Sequence, residues 1–317
     1  MNRPFLGRFF FMIFEVTILG CGAAAPTSKH NPSAQVVNVH DKLFLVDCGE
    51  GTQMQLRKFK VRFQRINHVF ISHLHGDHYL GLMGFISSMH LLGRQTKLTI
   101  YGPPDLKALI DLNLKASKTY LVYELEFHAT SDDDKHLIYE DKTLMVYSIP
   151  LKHRIECTGF IFEEKPRQPK VLKDKIAEYK LEPSQILELK KGREVTLANG
   201  DILSPKDAST KAPVQRSYAY CSDTASYEKL LPMIHGTSLL YHESTFLESE
   251  KERAKETFHS TAKQAASVAL NANCKSLLLG HFSPRYSSDE EFKTEAKEIF
   301  PNVMLADEGA VFMVSAE

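Results

Sequence analysis

Apolar residues recur along this chain at two periods, and the switches between them mark out most of its elements. Short apolar or alternating runs predict strands over 14–19, 35–39, 43–47, 69–72, 97–101, 144–149, 159–162, 218–221, 238–242, 276–279 and 310–314. Between many of these the period lengthens to that of a helix, over 51–59, 79–92, 105–115, 227–234, 261–271 and 289–300. Thr261 and Gln264 form a T-x-x-Q capping box, and Asp105, after Pro103-Pro104, is expected to cap a second helix. Strands in a mixed run that then alternate with helices argue an α/β fold, two packed sheets with helices on their outer faces.

From 163 to 217 the pattern fails. Residues 163–169 are charged and hold two prolines, 171–189 are weakly helical, and 195–203, with Asn199-Gly200, reads as a small hairpin. This is an insertion expected to project from the core. It carries Lys165, Arg167, Lys170, Lys173, Lys175 and Lys180 against Asp174 and Glu178, a basic patch whose plainer reading is a solvated lysine-rich face. The patch matters because Lys plus Arg and Asp plus Glu both number 39, so no global field attracts a polyanion. At 317 residues and 43% hydrophobic content, one domain over 12–317, with 163–217 inserted, is the simplest organisation.

Arg3, Arg8 and the apolar residues 9–13 imitate the start of a signal peptide. Glu15 breaks that pattern, and the strand running into Gly20-Cys21-Gly22 favours an ordinary extension over 1–11 with Met12 as the working start. No run approaches the roughly 18 apolar residues of a membrane span. Cys21, Cys48, Cys157, Cys221 and Cys274 are dispersed without a C-x-x-C pair, the usage of reduced thiols in a cytoplasmic protein.

Chemistry concentrates in Ser72-His73-Leu74-His75-Gly76-Asp77-His78, directly after an apolar run. Three imidazoles and a carboxylate without thiolate suit catalytic zinc, manganese or iron better than structural zinc. A histidine-rich surface loop is the alternative, but it gives no reason for the cluster to fall at a strand end. His153, Asp223 and His281 each follow another short β-like run, where α/β proteins place functional loops. His73, His75 and His153 would then hold one ion, Asp77, His78 and His281 a second, with Asp223 bridging both. Between ions roughly 3.5–4 Å apart a water loses its proton near neutral pH and becomes a nucleophile. Asp132-Asp133-Asp134 reads as a polar loop, and histidines 30, 40, 68, 90, 128, 136 and 235 have no comparable setting.

The H-x-H-x-D-H run with downstream His153, Asp223 and His281 resembles the metallo-β-lactamase superfamily, and within it the ribonuclease Z family, whose members trim the 3′ trailer from precursor tRNA. Further matches are residues 45–53 before the metal loop, Tyr241-His242-Glu243-Ser244-Thr245-Phe246 against an H-E-A-T-F stretch, Phe258-His259-Ser260-Thr261-Ala262, and His281-Phe282-Ser283-Pro284-Arg285-Tyr286. The resemblance spans about residue 12 to the C-terminus. It implies an αββα sandwich, two zinc ions per subunit (manganese or iron as alternatives), and Asp47 supporting a ligand histidine. It also implies Asp77 as general base, His259 oriented by Glu243 as general acid, and Arg285 on the phosphate. His242 is read as structural.

The insertion matches in place the family's tRNA-gripping arm, which assigns Lys170, Lys173 and Lys175 to substrate and implies a homodimer whose arms clasp tRNA in trans. Three departures stand out. The family's P-x-K-x-R-N loop is here Pro26-Thr27-Ser28-Lys29-His30-Asn31, a Gly-Pro element of the arm is Ser184-Gln185, and Ser222 precedes Asp223 where glycine is usual. A small-molecule phosphodiesterase, arylsulfatase or lactonase of the same superfamily is the competing expectation, and a non-catalytic metal-containing RNA-binding protein is a third.

Overall fold

In the computed structural model, which describes residues 12–316, the chain first lays down an antiparallel meander of β1 (Phe14–Gly20), β2 (Ala34–Val39) and β3 (Lys42–Val46). Parallel to β3 follow β4 (Ile66–Phe70), β5 (Leu98–Gly102) and β6 (Leu125–Ala129). β7 (His136–Glu140), β8 (Leu144–Pro150) and β9 (Thr158–Glu164) open a second sheet. β10 (Val195–Thr196) and β11 (Ile202–Leu203) pair only with each other, the hairpin that Asn199-Gly200 predicts. β12 (Ser217–Cys221), β13 (Leu239–Glu243), β14 (Ser276–Gly280) and β15 (Val303–Leu305) run parallel and complete the second sheet. β16 (Val311–Met313) returns to the first sheet beside β1, giving two sheets of seven strands each. The signal-like pattern of residues 1–11 lies outside the described residues.

Strand alternation sorts the first sheet between two faces. Val16, Val37, Phe44, Val46 and Phe70 join Phe160, Phe162, Tyr218 and Tyr220 of the second sheet in one buried cluster. Val36, Leu45, Val69 and Ile100 point the other way, onto Leu82, Phe85, Ile86 and Met89 of helix Leu82–Leu91 and Leu106 and Ile110 of helix Asp105–Ala116. Helices Ala262–Asn271 and Glu290–Lys297 cover the far side of the second sheet through Ala265, Ala266, Phe292 and Ala296. Each fully buried aromatic contributes about 1.5–3 kcal/mol of burial free energy, so these layers carry the stability of the sandwich.

Residues 164–215 form a compact unit of their own. Helices Lys173–Glu178 and Pro183–Lys190 and the β10–β11 hairpin enclose a small core of Val171, Leu181, Leu189, Val195, Leu203 and Ala208. No helix among the described residues is long and apolar enough to cross a membrane. All five cysteines are buried and free.

Several expectations are corrected. Asp105 makes no capping hydrogen bond; Pro104 occupies the N-cap, and Asp105 stands in the first turn, where its charge favours the helix dipole. The helix expected over 227–234 covers only Leu230–Met233, because Pro232 is tolerated only in a first turn and its ring would clash with the carbonyl of residue 228. β4 begins three residues before its expected start and ends two before its expected end.

Candidate metal centre

Every residue of the cluster leaves the C-terminal end of a strand. His73, His75, Asp77 and His78 follow β4, His153 follows β8, Asp223 follows β12, Glu243 ends β13 and His281 follows β14. Close packing of the turns permits this convergence. A Cβ at Gly49 would collide with the carbonyl of Asp77, so only glycine lets the turn after β3 approach the metal loop. His281 adopts a left-handed backbone (φ 60°), an unfavourable conformation that the surrounding hydrogen bonds impose.

Two groups of ligand atoms face each other. In the first, the Nε2 atoms of His73 and His153 each lie 3.1 Å from His75 Nδ1, and Asp223 Oδ2 is 3.6 Å from His73 Nε2 and 3.8 Å from His153 Nε2. In the second, Asp77 Oδ2 is 3.4 Å from Nε2 of both His78 and His281, and Asp223 Oδ1 is 3.3 and 3.1 Å from the same two atoms. Tetrahedral ligands bonded at about 2.0–2.1 Å stand roughly 3.3–3.4 Å apart, so both groups have the spacing of an ion cage, with Asp223 turning one oxygen to each. His78 Nε2 is buried and makes no aligned hydrogen bond although it faces both carboxylates, the arrangement of a nitrogen and oxygens turned to a shared cation. The donor set therefore fits two divalent ions.

The nitrogens facing away from the cages are held. Asp47 accepts from His78 Nδ1 (2.7 Å), the Tyr220 hydroxyl (2.6 Å), and both the hydroxyl and amide of Ser72 (2.9 and 2.8 Å). His153 Nδ1 lies 3.1 Å from the Phe258 carbonyl, and His281 Nδ1 lies 2.8 Å from the Thr245 hydroxyl. Such contacts fix which nitrogen is free to ligate. Burial holds His73, His75 and His153 below the ordinary imidazole range and so neutral, as ligation requires, whereas at His78 the carboxylates of Asp223, Asp77 and Asp47 outweigh burial and raise the imidazole. Burial also opposes charge on Asp77 and Asp223, yet the facing imidazoles, His78 for Asp77 and His281 with His78 for Asp223, outweigh it and keep both carboxylates ionised.

A second constellation opens beside the cages. Glu243, fully buried, receives His259 Nδ1 at 2.9 Å, the amides of Ser260, Thr224 and Thr245 at 3.0, 3.1 and 2.9 Å, and the Thr245 hydroxyl at 2.8 Å. Burial disfavours a charged His259, but the Glu243 carboxylate more than offsets it and raises the imidazole to about 9. His259 Nε2 stands 4.0 Å from Asp223 Oδ2. His75, Asp77, Asp223, His259 and His281 share one cavity of about 580 Å³. Arg285 lines it with its guanidinium 5.5 Å over the Phe246 ring and 3.4 Å from Glu250, together with Arg154 and Arg253.

Of the substrate lysines expected in the insertion, Lys170 and Lys173 are exposed, whereas Lys175 is half-buried and paired with Glu178 at 2.7 Å. His242 is buried with Nδ1 on the Glu243 carbonyl at 2.7 Å, away from both cages. Sequence reasoning does not find Thr245, whose hydroxyl joins Glu243 to His281, or Tyr220 behind Asp47. Thr245 sits inside a motif in which the glutamate and histidines carry the recognisable chemistry. Arg253 rides on helix Lys251–Thr257, charged nearly all round and so without a periodic signal.

The chain is similar to known proteins over most of its length. A family model described as "Anti-Pycsar protein Apyc1" matches residues 14–165, just under half of the chain. Ribonuclease Z of Parabacteroides distasonis is 44% identical over 296 residues, covering 93% of this chain and 97% of the relative. The crystal structure of human tRNase Z, short form, superposes with a TM-score of 0.69 at 27% identity, covering 95% of this chain and 99% of that one. The metallo-beta-lactamase fold protein YhfI from Bacillus subtilis superposes with a TM-score of 0.66 at 19% identity, covering 95% of this chain and 99% of that one, so the fold is shared.

Proposed function

The chain belongs to the ribonuclease Z family of metal-dependent endoribonucleases, and we propose that it removes the 3′ trailer from precursor tRNA, leaving a 3′-hydroxyl on the tRNA and a 5′-phosphate on the trailer. The observation that carries this reading is that His259, held by Glu243, opens into the same cavity as Asp77 and the ligand cages. A hydrolase that breaks a phosphodiester needs a base for the attacking water and an acid for the departing oxygen, and both line this cavity.

His73, His75, His153 and Asp223 would hold one zinc ion, and Asp77, His78, His281 and Asp223 the other; manganese or iron suits the same donors. Bound there, such ions lower the pKa of water and offset charge on the phosphoryl oxygens. Asp77, facing the cage through Oδ2, accepts the proton of the attacking water on Oδ1. Water attacks phosphorus in line, the bond from phosphorus to the 3′-oxygen breaks, and His259 donates its Nε2 proton to that oxygen. Glu243 holds the imidazole charged and oriented until then. Arg285 receives a non-bridging phosphate oxygen through its planar fork of donors, which Lys could not reproduce.

The 164–215 unit is assigned to tRNA, with Lys170 and Lys173 as its exposed cations and Lys175 acting once released from Glu178. The proposed assembly is a homodimer in which one subunit's unit holds tRNA at the other's metal centre, with the tRNA read by shape. The test is cleavage of an end-labelled precursor tRNA by purified protein, with both new ends mapped and the reaction repeated after chelation. A 3′-hydroxyl, a 5′-phosphate and loss of cleavage on chelation are expected. Other ends, or cleavage that survives chelation, would refute the assignment.

A further inference from the structure

A second cluster of ligand-type side chains lies outside the metal centre. Cys21, His30 and Glu308 bring thiol, imidazole and carboxylate within 4.8 Å of one another. They do not form an ion site, because each is already committed. Glu308 accepts from the backbone and side chain of Asn31 and from Gln55 Nε2 at 2.6 Å, while His30 spans from Cys21 Sγ (3.4 Å) to Asp289 Oδ2 (2.9 Å). Lys29 Nζ takes the other Asp289 oxygen at 2.7 Å, and the Thr27 hydroxyl accepts from the amides of Lys29 and His30. The cluster is the anchorage of the β1–β2 loop. Lys29 and His30 both turn to one carboxylate of the chain itself.

What the anchored loop presents is a backbone amide. Ala24 N–H donates to Asp77 Oδ2 at 2.8 Å, the same oxygen that faces His78 and His281. Ala24 does so from a left-handed conformation (φ 63°), which costs a residue with a Cβ about 1 kcal/mol or more, so the direction of its amide is imposed by the loop's attachments rather than chosen locally. Its neighbours are pinned as well: Gly22 N–H to the Asn31 carbonyl at 3.0 Å and Ala23 N–H to the Phe282 carbonyl at 3.0 Å, one residue past the ligand His281.

We propose that this loop is a positioning device for Asp77, with Ala24 N–H fixing Oδ2 toward the cage, Oδ1 left for the proton, and the Asp289 latch on His30 and Lys29 holding the amide in place. The inference rests on the reading of Asp77 as ligand and base. It differs from a role in gripping RNA, because a loop that acts on Asp77 must matter to a substrate too small to touch the loop.

The experiment compares the full-length protein with His30→Ala, Asp289→Ala, their double variant and the milder Asp289→Asn, which keeps side-chain shape should the alanine variants fail to fold. Zinc affinity is measured by chelator competition, and turnover is measured at saturating zinc on bis(p-nitrophenyl) phosphate. Supporting hydrogen bonds to metal ligands are worth roughly 10- to 100-fold, so each single variant should bind zinc about tenfold more weakly and turn over about tenfold more slowly. The double variant should be no worse than Asp289→Ala, since both substitutions open one latch, and amide exchange over 22–32 should quicken. Unchanged zinc affinity and turnover on the small diester would overturn the proposal, and a defect confined to precursor tRNA would mean that the loop meets RNA instead. Asp77→Ala separates the two layers: full cleavage by that variant would remove the underlying reading, whereas an inactive Asp77→Ala beside unaffected latch variants removes only this inference.

Discussion

His259 and Glu243 show how one residue's meaning depends on what surrounds it. Glu243 is fully buried, where a carboxylate is costly unless satisfied, and here five donors satisfy it. Its charge raises the His259 imidazole, which is what the proposed role of proton donor requires. His259→Ala is therefore expected to lower kcat on precursor tRNA about 10²–10⁴-fold, the usual worth of a general acid, with the metal content of the parent retained. If the substitution also released an ion, His259 would be a ligand rather than an acid, a distinction that metal analysis of the purified variant makes directly. His68 is the opposite case, an imidazole kept neutral. It stacks on Phe44 (5.6 Å) and meets Tyr139 edge-on (4.7 Å), its Nδ1 has no partner, and burial followed by nearby Lys97 lowers its pKa to about 4. Between pH 6.5 and 4 the unfolded chain binds the proton that the folded chain refuses. Stability from this group is thus complete above pH 6.5 and declines as pH falls through that window, by at most about 3 kcal/mol. His68→Phe keeps the ring stack and removes the titration. In urea unfolding of metal-free protein, its advantage over the parent should grow between pH 7.5 and pH 5; a difference independent of pH would contradict this account.

At the scale of elements, legibility follows burial on one consistent face. β1, β2 and β3 alternate cleanly between the inter-sheet core and the helices, and their pattern predicts them to within a residue or two. β6 and β7 leave no such signal because they are edge strands, half-buried at best, and an edge has no buried face to impress on the sequence. β15 has only three residues, too few to show a period. The candidate metal cluster is legible because four ligand-type side chains lie within six positions, and His153, Asp223 and His281 because each follows an apolar run. Ala24 is not, since a backbone amide donates whatever the side chain is. The T-x-x-Q box at Thr261 is legible and fully formed: its hydroxyl accepts from the Gln264 amide at 3.2 Å and Gln264 Oε1 accepts from the Thr261 amide at 2.9 Å, while the hydroxyl also donates to Glu248 at 2.6 Å. Thr261→Ala should cost about 1–2 kcal/mol in chemical denaturation and Thr261→Ser much less. Equal destabilisation by both would assign the effect to the missing methyl rather than the cap.

Taken as a whole molecule, the chain must bind a polyanion without net charge, so its affinity has to come from where the charges sit. The 164–215 unit is the proposed source, and it is a compact unit with a small core of its own. β9 and β12 pair in antiparallel register with Glu163 opposite Ser217, so the two ends of the insertion emerge side by side and a short Gly-Ser turn can rejoin them. The candidate metal ligands all lie outside that segment. Turnover on bis(p-nitrophenyl) phosphate is therefore expected to stay within about twofold after excision, since the proposed general acid, base and cages are untouched. Cleavage of precursor tRNA should fall about 100-fold or more in kcat/KM, with the change concentrated in KM, because tethered phosphate contacts add binding and not chemistry. The salt dependence is the sharper measurement. Each phosphate that the protein no longer neutralises should flatten the slope of log affinity against log salt by roughly 0.7–0.9, so removing Lys170 and Lys173 alone should flatten it by more than about one. An excised enzyme that still cuts precursor tRNA at the parent's rate and with the parent's salt slope would move the RNA-binding surface off this unit and onto the arginine-lined cavity around Arg154, Arg253 and Arg285.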